Sequence, residues 1–304
     1  MLCATSQGTV LRLRVPGDVT AAVASSTTPE LWLDAAATGG CGITSLDSDM
    51  QEVVFATRTG ALGIANLDRG CAAPTFLLPG GSCTSFAAVR FVSTGGGGHR
   101  AAAGGGGSHV VATVGSTPGC CLFDPFAPST SRPALRCAGS SPVQRFRCLA
   151  VEPGTSHGAL LAAGSADEAA ACVWDTRQPA TPLWSWSQHA GGDSAGAYCT
   201  AVAFDPGACF SSSPGEDYGH MQSLGGTTST QRTSGLLLAT SAGVLLGCTV
   251  SKGQVPLVAL ARESVPVAHC AIVPTSGQQL AAVTDSECLL LWDARSAGAL
   301  DPMM

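Results

Sequence analysis

Short apolar runs of four to eight residues recur along the whole chain, and Gly, Ser, Pro or Asp separates each run from the next. No long segment repeats apolar residues at the three- and four-residue spacing of an amphipathic helix. Runs of this length between turn-forming residues are typical of β-strands. The pattern therefore predicts an all-β chain, built either as a propeller or as a sandwich.

Internal repetition decides between these two architectures. Segments 147–177 and 268–295 share one order of features: an apolar run that ends in Pro, a run that ends in a small residue, a tight turn, and a run that ends in Trp-Asp-x-Arg. The two Trp-Asp pairs are Trp174-Asp175 and Trp292-Asp293. This order resembles the WD repeat, in which four antiparallel strands form one blade of a β-propeller.

Weaker copies of the repeat occupy much of the remaining chain. One copy ends in Leu67-Asp68-Arg69, a second ends in Phe123-Asp124, and a third covers 198–250 without a Trp-Asp pair. The opening residues 2–15 look like the middle of another copy. We therefore expect one propeller domain over 1–304, with about six blades or an incomplete seven-bladed ring, in which Asp68 and Asp124 are structural equivalents of Asp175 and Asp293.

Two low-complexity segments interrupt the repeats. Residues 93–108 contain two runs of four glycines, and residues 207–235 are rich in Ser, Thr and Gly. Each segment follows the first strand of its copy, so we interpret both as loop insertions on the same face of the disc. The shared position of the insertions supports the alignment of the repeats.

Composition narrows the classes of function. The chain has 304 residues, a formal net charge of −6 and 12% charged residues, so it lacks the basic surface expected of a nucleic-acid-binding protein. The chain contains no run of 18 apolar residues without Gly, Pro or polar breaks, so we expect no membrane span. The first residues of the sequence do not resemble a secretory signal. Fourteen cysteines without a glycosylation sequon at Asn66 indicate free thiols in a reducing compartment. We expect an intracellular protein.

Candidate catalytic and metal-binding motifs are weak. Gly154-Thr155-Ser156-His157-Gly158 fits the nucleophile-elbow pattern, but that motif needs a following helix, whereas here a strand follows, so a plain turn is the better interpretation. The cysteines, including the vicinal pair Cys120-Cys121, and the histidines lack zinc-ligand spacing. We therefore expect no enzymatic activity, no cofactor, no metal and no small-molecule substrate.

The Trp-Asp-x-Arg ends have two interpretations. In the structural one, Trp packs between blades while Asp and Arg hold the following turn. In the functional one, Arg177 and Arg295 are exposed and dock a partner. The second pattern resembles the motif with which WD-repeat substrate receptors join the adaptor of cullin-RING ubiquitin ligases. We favour the structural interpretation, because exposed ion pairs contribute little and the motif also occurs without that role.

The order of features around Trp174 resembles one family in particular, the small WD-repeat nucleoporins of the Y-shaped outer-ring complex of the nuclear pore. The matching features are Trp174-Asp175-Thr176-Arg177-Gln178, the following Pro182-Leu183-Trp184-Ser185, and the insertion over 207–235. The resemblance implies a non-catalytic protein-interaction scaffold at the nuclear envelope, with outer-ring nucleoporins as partners. It implies no catalytic residue. Without the resemblance, the nucleus or the cytoplasm is expected.

Overall fold

The computed structural model describes most of the apolar runs and leaves several of the connections between them undescribed. The described residues are 2–12, 30–48, 52–67, 74–78, 85–93, 109–125, 133–152, 160–187, 196–205, 234–250, 258–262, 265–272, 279–284, 286 and 288–293. Both insertions predicted from the sequence lie almost wholly outside these ranges, and so do Asp68, Arg295 and the pentapeptide around Ser156.

Within the described ranges the chain forms β-strands and one short 3-10 helix, at Ala35–Thr38. The strands are β1 (Leu2–Ala4), β2 (Val10–Arg12), β3 (Glu30–Leu33), β4 (Ile43–Ser48), β5 (Glu52–Thr57), β6 (Leu62–Asn66), β7 (Thr75–Leu78), β8 (Phe86–Ser93), β9 (His109–Gly115), β10 (Cys120–Phe123), β11 (Leu135–Cys137), β12 (Phe146–Val151), β13 (Leu160–Ser165), β14 (Ala170–Asp175), β15 (Trp184–Ser187), β16 (Cys199–Asp205), β17 (Ser234–Thr240), β18 (Val244–Val250), β19 (Val258–Arg262), β20 (Val267–Ile272), β21 (Gln279–Thr284) and β22 (Leu289–Asp293).

These strands form six antiparallel sheets in chain order, and each strand pairs with its neighbours in sequence. Sheet 1 contains β1–β3, sheet 2 β4–β7, sheet 3 β8–β11, sheet 4 β12–β15, sheet 5 β16–β19 and sheet 6 β20–β22. The all-β expectation is therefore confirmed. The predicted third strands of the repeats are β6, β10, β14, β18 and β22, and the Trp-Asp pairs come at the ends of β14 and β22.

The first strands of sheets 2–6 share one irregularity. In each, the pairing register with the second strand shifts directly after the first residue, which is the signature of a β-bulge. The shifts lie between Ile43 and Ser45, Phe86 and Ala88, Phe146 and Cys148, Cys199 and Ala201, and Val267 and His269. The bulge gives a residue-by-residue alignment of five sheets that the sequence pattern alone does not provide.

A threonine closes the turn after the second strand in several sheets. Its hydroxyl oxygen accepts a hydrogen bond from the backbone N–H four residues later, at 3.0–3.3 Å. The threonines are Thr5, Thr57, Thr240 and Thr284. Because Thr5 follows β1, β1 is equivalent to the second strand of the other sheets, as the pattern of the opening residues predicts.

The hydrophobic core lies between the sheets. Four clusters of buried side chains each draw on two consecutive sheets: 1 with 2, 2 with 3, 3 with 4, and 4 with 5. A sheet packed on both faces needs apolar residues at almost every position, which explains the continuous apolar runs where strict alternation is absent. In the described part of the chain, no helix has the length and apolar character needed to cross a membrane.

Candidate functional site

Trp174, the aromatic residue of the first Trp-Asp pair, joins two neighbouring sheets. Its side chain is fully buried in the cluster between sheets 3 and 4. The indole Nε1 donates a hydrogen bond of 2.7 Å to the carbonyl oxygen of Ala138, which follows β11 in sheet 3. The ring also packs edge-on against Phe146, with 5.3 Å between centroids and 85° between planes. Trp174 therefore packs between two neighbouring sheets.

Asp175 and Arg177 form a closed turn after β14. The Asp175 carboxylate accepts hydrogen bonds from the backbone N–H and from the side-chain Nε of Arg177, both at 2.9 Å. The guanidinium also forms an ion pair with the same carboxylate. The side-chain hydrogen bonds to Asp175, followed by this charge interaction, raise the pKa of Arg177. The Arg177 side chain is 66% exposed, but part of its guanidinium already bonds to Asp175. This geometry stabilises the turn and leaves Arg177 only partly available to a partner.

The other residues of the predicted motif are described to different extents. Asp124 is half-buried directly after β10. In sheet 6, Trp292 lies opposite Leu280 in the pairing register, and Asp293 lies opposite Gln279. Trp174 and Asp175 face Leu161 and Leu160 in the same arrangement in sheet 4, so both Trp-Asp pairs close the second-to-third strand ladder. These backbone positions are equivalent in the two sheets.

Polar side chains on the first strands bridge neighbouring sheets. Thr44, the bulged residue of β4, donates to the carbonyl of Phe86 at 2.8 Å, and Thr200, the equivalent residue of β16, donates to the carbonyl of Val267. The equivalent Arg147 of β12 lies over the ring of Tyr198, 4.8 Å from its centroid. The bulged residue therefore contacts the start of the next sheet in three of the five aligned sheets.

Two further side chains of β4 extend this connection. Ser45 accepts a hydrogen bond from the N–H of Val89 at 3.1 Å, and Asp47 accepts one from the N–H of Phe91 at 2.8 Å. Sequence reasoning missed these residues. The only signal for them was the presence of polar residues inside a run otherwise expected to be apolar.

The turn that contains Arg177 has a definite place in the topology. In an antiparallel meander, the first and third strands run in the same direction and end at the same edge of the sheet. The connections β8–β9 and β16–β17, in which the sequence places the two insertions, leave from the ends of first strands. Arg177 and both insertions are thus attached to one edge of the sheets.

The opposite edge carries a second polar group. Arg145 donates from Nε to Asp167 at 3.1 Å, and Gln144 donates from Nε2 to Glu168 at 3.2 Å. Asp167 and Glu168 lie in the turn between β13 and β14, and Arg145 directly precedes β12. Because Arg145 and Asp167 are about half exposed, their ion pair contributes little stability.

The described cysteines are free thiols, and most are buried. Burial raises the pKa of Cys148, Cys248 and Cys270 to about 12, and that of Cys199 is also raised. These thiols stay protonated at neutral pH and pack as small apolar side chains. Cys120 and Cys137 are arranged differently from these four thiols, because they lie directly opposite each other on β10 and β11.

The described part of the chain has no three His, Cys, Asp or Glu side chains placed to hold a metal ion. One small pocket lies beside Cys121, among the turns of sheet 3 and the start of β8. It has room for about one water molecule.

No family model matches the chain, and no curated protein matches it either.

Proposed function

We propose that the six sheets are the blades of a WD-type β-propeller and that the protein is a non-catalytic protein-interaction scaffold. The observation that carries the proposal is the repetition of one meander, with the same bulge in sheets 2–6 and the same threonine turn in four sheets. Consecutive sheets pack face to face, as blades do. Such a stack presents loops from every blade on its two edges, which suits binding to other proteins.

The partner class follows from the order of features around Trp174. We assign the protein to the outer ring of the nuclear pore as a scaffold subunit, by its resemblance to the small WD-repeat nucleoporins. Trp174 and Asp175 fill structural roles in the repeat, so they are not themselves the contact residues. The edge that carries Arg177 and both insertions is the surface we assign to the partner.

Affinity purification of a tagged full-length chain tests this assignment. Outer-ring nucleoporins are expected in the eluate, and the tagged chain should give a rim signal at the nuclear envelope. Arg177→Glu reverses a charge on the proposed binding edge and should reduce recovery of the partners. Val143→Glu, in a 72% exposed position before β12 on the opposite edge, is the matched control and should leave recovery unchanged. A diffuse signal without nucleoporin partners contradicts the assignment.

A cullin-RING substrate receptor is the second candidate function. The observation in its favour is the 66% exposed side chain of Arg177, and the observation against it is the ion pair with Asp175. Arg177→Ala together with Arg295→Ala should abolish binding to the ligase adaptor without loss of the fold. If the unmodified chain does not co-purify a cullin adaptor, this second function is wrong.

A further inference from the structure

Two cysteines face each other across the outer part of sheet 3. Cys120 of β10 and Cys137 of β11 are direct partners in the antiparallel register. Both side chains are fully buried in the cluster that also contains Trp174 and Phe146. The pairing register and the shared cluster therefore place the two side chains side by side.

The register suits a disulfide. Directly opposed residues of an antiparallel pair have Cβ atoms about 4.5–5.5 Å apart, and a disulfide needs about 3.5–4.5 Å. The shift required is small, and β11 has room for it because it is only three residues long and lies at the edge of its sheet. Closure of the bond needs no change of register.

Nearby thiols do not compete for this pairing. Cys121 projects to the opposite face of β10, because successive residues of a strand alternate, and its register partner is Arg136. Cys172 lies in the same cluster as the dithiol but contacts Ser140 and Gln144 through its sulfur atom. Among the described cysteines of this cluster, Cys137 is thus the one that the register places opposite Cys120.

The position of the two cysteines gives them different roles. Cys137 lies on the outermost strand β11, whereas Cys120 lies on the inner strand β10. Because an exposed thiolate is the reactive form of cysteine, Cys137 is the attacking group and Cys120 resolves the intermediate.

A reagent reaches the pair through the edge of the sheet. Only β10 pairs with β11 in sheet 3, and the side chains of Leu135 and Arg136 on β11 are exposed. A short outermost strand with this little packing opens locally at lower free energy than the inner strands. Opening of β11 exposes Cys137, which this outermost strand carries.

We propose that Cys120 and Cys137 form a redox modification site, which a hydroperoxide converts reversibly into a cross-strand disulfide. The Cys137 thiolate attacks one peroxide oxygen; an S–O bond forms, the O–O bond breaks, and the other oxygen leaves as water (or as the alcohol) after taking up a proton. The Cys120 sulfur then attacks Cys137, the S–S bond forms and the S–O bond breaks, releasing water. The two thiols lose two electrons and the hydroperoxide gains them. A dithiol reductant reverses the reaction by thiol–disulfide exchange.

The disulfide would act on the junction between sheets 3 and 4. Ala138, the residue after Cys137, supplies the carbonyl that accepts the indole hydrogen bond of Trp174. A covalent bond between β10 and β11 holds this carbonyl in place and removes the local opening of β11. The oxidised protein should therefore melt at a higher temperature than the reduced protein.

Peptide mapping of the full-length protein tests the proposal directly. Folded protein is treated with hydrogen peroxide, free thiols are blocked with N-ethylmaleimide, and trypsin digestion follows without reductant. The expected product links the peptide 101–136, which contains Cys120 and Cys121, to the peptide 137–145, which begins with Cys137. Fragmentation should place the bond at Cys120, and dithiothreitol should remove both the linked peptide and the rise in melting temperature.

Two variants form a matched pair for this experiment. Cys121→Ser should keep the linked peptide, whereas Cys120→Ser should lose it. If Cys120→Ser does not fold, the fragmentation spectrum of the unmodified protein still decides between the two sulfur atoms. A bond to Cys121, a link that forms only after unfolding in urea, or peroxide-treated folded protein in which the pair stays reduced would each overturn the proposal.

Discussion

Removal of the Trp174 side chain tests the junction on which the repeat depends. Trp174→Ala deletes a fully buried aromatic ring, its edge-on contact with Phe146, and the hydrogen bond to Ala138. Truncation of a large buried aromatic residue costs about 3–5 kcal/mol. The lost hydrogen bond adds little, because the exposed Ala138 can bond to water instead. With an unfolding entropy of about 2.1 cal/mol/K per residue, this cost lowers Tm by about 5–8 °C for a chain of 304 residues.

Differential scanning calorimetry of three variants separates the contributions. Trp174→Phe keeps an aromatic ring but loses the indole donor, so it should cost much less than Trp174→Ala. Trp186→Ala is the matched control, because Trp186 lies in the same sheet but is only half-buried, and its loss should lower Tm by a smaller amount. An unchanged Tm for Trp174→Ala, or a larger fall for Trp186→Ala, would refute the assignment of Trp174 to the sheet junction.

Three further predictions concern the inner strands and the turn after β14. Gly164→Ala places a Cβ 2.5 Å from the Cβ of Cys199 and 2.6 Å from the Sγ of Cys148. This overpacking should lower the free energy of unfolding, measured by urea titration, by about 1–3 kcal/mol. An unchanged free energy of unfolding would contradict this packing. Asp175→Ala should destabilise more than Arg177→Ala, because Asp175 also accepts the backbone N–H, and equal melting temperatures would argue against the turn. Burial raises the pKa of Cys148 to about 12, above its value in the unfolded chain. The unfolded chain therefore loses this proton first as pH rises, so the free energy of unfolding should fall between about pH 9 and 12. Cys148→Ala should make that fall smaller, and identical pH profiles of the urea midpoint for the variant and the unmodified protein would show that the thiol does not contribute.

The sequence predicted the strands that end in recognisable residues. The strands around Trp174 and Trp292 follow the predicted order, and the weak copy that ends at Phe123-Asp124 is also a third strand. The outermost strands β7 and β11 were not predicted, because no Trp-Asp or similar end signal marks these runs of four and three residues.

Other features arise only when the strands pair. The bulge in sheets 2–6 is a shift in register, and register depends on two strands together. The contact between Thr44 and Phe86 joins residues 42 positions apart. In the sequence, Cys120 stands beside Cys121, and nothing there points to Cys137 as its partner. The pairing register brings Cys137 opposite Cys120 and turns Cys121 to the other face.

The sequence by itself determined that this chain is all-β, that one order of three apolar runs recurs, and that the third run ends in Trp-Asp at two places. Local hydrophobicity and turn residues carry that information, because each strand and turn is a short-range property of the chain. Only the tertiary structure decided which side chains join neighbouring sheets and which cysteine lies opposite Cys120. Those contacts depend on register and on the packing of separate sheets, and in both cases the partners are distant in sequence.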